Sequence, residues 1–74
     1  MTVAEIAENK ARYMIAQRTT EEIVTDFETT EKINMPEIYR VRGWLMDELE
    51  KRNGEAFEAW IDSNEESPRK YFVK

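Results

Sequence analysis

Apolar residues in this chain return every three to four positions, and nowhere do they alternate with polar ones over the length of a strand. That period matches the 3.6-residue turn of an α-helix, whereas a half-buried strand needs a period of two. The pattern therefore predicts an all-α fold, and 74 residues leave room for a single domain spanning 1–74. A chain of this size buries only about 60% of the surface it exposes when unfolded, so its core is small and a partner would matter to it. With 41% hydrophobic and 11% aromatic residues, it still holds too much apolar material to stay disordered, although 36% of it is charged.

Thr2 and Glu5 stand at capping-box spacing ahead of Val3, Ile6, Ala7, Ala11 and Met14, which predicts a first helix over residues 3–17. A second box, Thr19 with Glu22, opens a helix over about 20–32 with Ile23, Val24 and Phe27 as its stripe. Asn34-Met35-Pro36-Glu37 reads as a break and restart, with Asn34 as the cap and Pro36 in the first turn. Ile38, Val41, Leu45 and Leu49 then share one face, with Trp44 adjoining, up to a stop at Asn53-Gly54. Residues 55–61 form a short fourth helix with Ala56, Phe57, Trp60 and Ile61 on one side. The expected fold is a compact bundle of three main helices plus this short fourth one, its core knit by Tyr13, Phe27, Trp44, Phe57 and Trp60. The tail at 63–74 is either flexible or packed back through Tyr71, Phe72 and Val73.

Composition narrows the chemistry. Without cysteine the chain forms no disulfide scaffold, thiolate nucleophile or iron–sulfur site, and without histidine it lacks the usual general base and metal ligand. Its two serines, Ser63 and Ser67, lie in a polar stretch, and its two glycines, Gly43 and Gly54, are too far apart to cradle a phosphate. The expectation is a protein that is not an enzyme and holds no cofactor or metal. Glu5 interrupts any leader-like start and no run of about 18 apolar residues occurs, which predicts a cytoplasmic protein without a membrane segment.

Four surface features are candidates for function. The break before the third helix suggests a helix-turn-helix, with Tyr39, Arg40, Arg42 and Gly43 facing a major groove. Against it, Glu21, Glu22, Asp26, Glu28 and Glu31 crowd the preceding helix, where phosphate contact calls for positive charge. Glu55, Glu58 and Asp62 form an acidic ridge that reads equally as the solvent side of the fourth helix. The run Asp62 to Ser67 opens like a calcium loop but has Ser67 where the turn requires glycine and Val73 where the last glutamate belongs, so it is rejected. Acid–base work by paired carboxylates among Glu21, Glu22, Asp26 and Glu28 stays open, but nothing in the sequence points them into a pocket that would raise a pKa, and a solvated face is the simpler reading. Met35, Tyr39, Trp44, Met46, Tyr71 and Phe72 exceed what one narrow stripe can bury, so some of them are either a docking patch or covered by the tail.

The run Arg42-Gly43-Trp44-Leu45-Met46-Asp47-Glu48-Leu49-Glu50-Lys51-Arg52, followed by Glu55-Ala56-Phe57 and Trp60, resembles a family of small uncharacterised proteins of phages and conjugative elements of Gram-positive bacteria. Thr20 to Val24 fits the same likeness, which covers about residues 19–62. The resemblance implies an accessory protein of a mobile element and carries no activity or site residue with it. The leading expectation is thus a helical interaction module presenting Tyr39, Trp44 and Met46 to an unidentified protein partner, or to a second copy as a homodimer. The alternative is a DNA-binding regulator acting through Arg40 and Arg42.

Overall fold

The computed structural model of the chain describes residues 2–73, and among these all regular structure is helical. The elements are α1 (Val3–Ala16), α2 (Thr20–Thr30), α3 (Ile38–Arg52), α4 (Gly54–Ser63) and α5 (Arg69–Phe72). The box opening α2 is complete: the Thr19 hydroxyl accepts from the Glu22 amide at 3.1 Å and Glu22 Oε1 accepts from the Thr19 amide at 2.8 Å. At α1 only half the box forms, with the Thr2 hydroxyl accepting from the Glu5 amide. Helix α2 ends at Thr30, short of residue 32, where the Thr29 and Thr30 hydroxyls turn back onto helix carbonyls and the next three amides make tighter i to i−3 bonds.

Asn34 does not cap α3. The chain instead enters α3 through a turn in which the amides of Ile38, Tyr39 and Arg40 donate to the carbonyls of Met35, Pro36 and Glu37. That turn already satisfies the first amides, so no side-chain cap is required. At the other end, Asn53 is the single residue between α3 and α4, and its side chain caps α4 by accepting from the Ala56 amide at 3.1 Å. Asn64 closes α4 in the left-handed conformation, φ 61°, one of the few residue types that take it at low cost.

The core is built around α2. Ile23, Val24 and Phe27 meet Leu45 and Leu49 of α3, Trp60 of α4 and Ile15 of α1, each fully or nearly fully buried. Burial of side chains this size contributes about 1.5–3 kcal/mol apiece. Trp60 stands edge-on to both Phe27 and Phe57, with ring centroids 5.3 and 5.8 Å apart, and its indole N–H donates to the Glu65 carbonyl at 2.7 Å. The predicted aromatic core is corrected at one place: Tyr13 is 68% exposed. Two residues along a helix is a 200° rotation, so once Ile15 of α1 faces α3, Tyr13 is left at the edge of that contact and largely in solvent.

Arg52, the last residue of α3, ties the first corner of the chain. Its guanidinium donates to the carbonyls of Arg18 at 2.7 Å and Ala16 at 3.1 Å and to the Thr20 hydroxyl, while its Nε pairs with Glu48 at 2.9 Å. The positive group thus satisfies carbonyls at the C-terminus of α1, where the helix dipole also favours a cation. The tail is packed back. Pro68 is buried, α5 lies on α2 and α4, and Tyr71, Phe72 and Val73 pack partly buried against the core.

Candidate interaction surface

Ion pairing occupies most of the carboxylates that sequence reasoning considered for acid–base work. Glu28 accepts from Arg69 through both oxygens, at 2.7 and 2.9 Å, and from the Ser67 hydroxyl at 2.6 Å. These charge-assisted bonds hold its carboxyl down to about 2, well below the usual range, so it stays ionised and acts as a clamp on the tail. Glu22 is likewise lowered by the amide and hydroxyl of Thr19, and Asp26 pairs with Arg18 at 2.6 Å. Glu55, Glu58 and Asp62 all lie exposed along α4. Asp62 and Ser63 end α4, where the Ser63 hydroxyl donates to the Trp60 carbonyl, and Asn64 to Ser67 lead out of it. Among the described residues no group of three acidic side chains is arranged to hold a metal ion, and no helix is long and apolar enough to cross a membrane.

The two arginines of the helix-turn-helix reading have different settings. Arg42 lies over the Phe27 ring at 4.2 Å and donates to the Thr30 hydroxyl at 2.9 Å, so its guanidinium is committed to joining α2 and α3. Arg40 is exposed. Seven residues, 31–37, separate α2 from α3, where a helix-turn-helix uses a turn of three or four.

The three residues expected to meet a protein partner also separate. Tyr39 is 76% exposed, whereas Trp44 and Met46 are half-buried against the core. Around Tyr39 the α2–α3 connection supplies what local patterning did not single out: Ile33, Ile38 and Tyr39 line an open hollow of 510 Å³ with Thr30 and Arg42 at its floor and Glu31 and Glu66 at its rim. Ile33 and, just before the hollow, Met35 are exposed as well. Ile33 escaped notice because it falls outside the stripe of either flanking helix; the only sequence signal was an isoleucine and a methionine placed in a connection instead of polar residues.

A second apolar surface lies on α1, where Val3, Ile6, Tyr13 and Met14 are all exposed. Beside it, Ala11, Met14 and Ile15 of α1 form an apolar hollow with Val41 and Trp44 of α3. Comparison of the chain with family models, curated proteins and solved structures gives no match.

Proposed function

We propose that this chain is a non-enzymatic helical interaction module that docks onto a protein through the α2–α3 patch of Ile33, Met35 and Tyr39. The observation that carries the reading is the distribution of large apolar side chains among the described residues. Seven form the core, while Val3, Ile6, Tyr13, Met14, Ile33, Met35, Tyr39 and Ile61 are exposed. Single exposed apolar residues are ordinary, but clusters of them on a small domain mark binding surfaces. Tyr39 is the natural anchor, because a tyrosine contributes a large apolar face with a polar tip and loses little entropy on docking. Trp44 faces α1 instead and Met46 packs beside Phe27 and Trp60, so neither belongs to that patch.

In this reading the chain works inside the cell as an accessory protein of a mobile element, the role implied by the likeness of about residues 19–62 to such proteins. A DNA-binding regulator has less support, since Arg42 is engaged with Thr30 and Phe27 and leaves Arg40 as the free member of the pair. A photo-crosslinking amino acid at position 39, in cells that make the protein, tests the proposal. The expected result is one discrete protein adduct, lost on an Ile33→Asp background that keeps its helical circular dichroism. Salt-sensitive binding to mixed-sequence duplex DNA that falls on Arg40→Ala, with no protein adduct, overturns it.

A further inference from the structure

We infer that α1 is a self-association face: two copies of this chain pair through antiparallel α1 helices. The inference concerns a different surface from the Tyr39 patch, so either can fail while the other stands. The stripe that made α1 recognisable in the sequence points outward. Only Ile15 of this helix is buried, whereas Val3 is 84%, Ile6 53% and Met14 59% exposed. An amphipathic helix that spends its apolar side on solvent lacks the burial that normally pays for its formation.

Three observations select a second copy as the occupant. The first is charge. The chain carries a formal −5, so two copies repel across most of their surface, yet the Val3–Ala7–Lys10–Met14 line of α1 holds no carboxylate and Lys10 is its one ion. Glu8, the nearest acidic residue along the helix, is turned aside into an ion pair with Arg12 at 2.9 Å, and Arg12 in turn reaches Asp47 of α3. The second is size matching about a two-fold axis. Val3, Ala7, Lys10 and Met14 are spaced four, three and four apart, the seam of a helix pair. In an antiparallel pair centred between residues 8 and 9, Lys10 of one copy crosses Ala7 of the other, and Val3 crosses Met14. A long side chain therefore meets a smaller one at each crossing, and the two-fold repeats every crossing.

The third observation is area. Val3 and Met14 on the seam, with Ile6 and Tyr13 on its flank, offer at most about 500 Å² per copy, so a pair buries at most about 1,000 Å², the lower bound for a specific interface. An interface at that bound gives a dimer that forms with concentration instead of an obligate one.

The test uses the full chain. Sedimentation equilibrium from about 5 to 500 µM is expected to show a reversible shift from 8.8 kDa toward twice that mass. Met14→Glu, at an exposed position, is expected to hold the chain at monomer mass with its circular dichroism unchanged. Register is read separately, because the chain has no cysteine of its own. A mixture of Val3→Cys and Met14→Cys proteins is expected to form the mixed disulfide at least tenfold faster than either protein couples to itself. A monomer at every concentration overturns the proposal and leaves the face to a different protein. So does a dimer that Met14→Glu leaves intact, or self-coupling of each variant as fast as the mixed coupling.

Discussion

The long N-terminal helix and the irregular C-terminal tail are held in opposite ways. Helix α1 has 14 residues and a capped start, yet it docks chiefly on α3 and buries one large side chain, Ile15. The tail has a four-residue helix and no side-chain cap, yet it buries Pro68, receives the indole bond of Trp60 at Glu65 and is clamped by Arg69 and Ser67 onto Glu28. Regular backbone and tertiary anchorage are thus separate quantities. The helix satisfies its own backbone but has little burial to hold it, whereas the tail has little regular backbone and is held by side chains from α2 and α4.

The comparison can be broken hardest at Trp60. Trp60→Ala removes the ring that faces both Phe27 and Phe57 and the donor to Glu65, and is expected to cost about 3–5 kcal/mol, measured by urea unfolding with accelerated amide exchange in the tail. Arg52→Ala strikes the other region. It strips the cation from the carbonyls of Ala16 and Arg18 and from Glu48, with an expected loss of about 2–3 kcal/mol and exchange rising first at the end of α1. If α1 loosens no sooner than the tail, the two regions form one cooperative unit and the contrast drawn here collapses.

Acid sharpens the comparison from the tail side. The Glu28 carboxyl lies at about 2 in the folded chain against an ordinary 4.5, so the unfolded state takes up the proton first as pH falls. The clamp is fully present above about pH 4.5 and is lost as pH falls toward 2, a loss on the order of 1 kcal/mol once screening by solvent at this half-exposed site is allowed for. Glu28→Gln should remove that part of the acid sensitivity in pH-dependent unfolding. Gly43→Ala fills a mid-helix position with no neighbour within 4 Å of the added methyl, and is expected to raise stability by about 0.5–1 kcal/mol for both regions alike. Asp47→Asn, which removes the exposed ion pair with Arg12, should cost less than about 1 kcal/mol in a double-mutant cycle with Arg12→Ala.

Local signals made much of the fold legible. The Thr19–Glu22 box, the Ile23–Val24–Phe27 stripe, the Leu45–Leu49 face and the Asn53 joint act within a turn or two, so they can be read off neighbouring residues. The orientation of α1 could not be read that way. Its stripe marks an apolar face but does not say whether the chain itself covers that face, and the expectation of a buried Tyr13 fails for that reason. Asn34 has the right side chain for a cap, but the Met35–Arg40 turn makes the cap unnecessary. Arg52 and Arg69 were illegible because their partners lie 34 and 41 positions away, and no residue near either announces a carbonyl or carboxylate so distant in sequence. In the candidate surface, Tyr39 was visible as an aromatic off the packing face of α3, whereas Arg42 could not be distinguished from Arg40 until Phe27 and Thr30 were placed beside it.

The hold of Arg52 on the corner at residues 16–20 also sets an order of events during synthesis. Helices α1 and α2 are synthesised before the guanidinium that joins their ends exists. At about 5–20 residues per second, the 34 positions between Arg18 and Arg52 take about 2 to 7 s to add. Until then the corner has no cation for its carbonyls, and the Ile23–Phe27 stripe waits longer still, since its cover is complete only once Trp60 of α4 has been added.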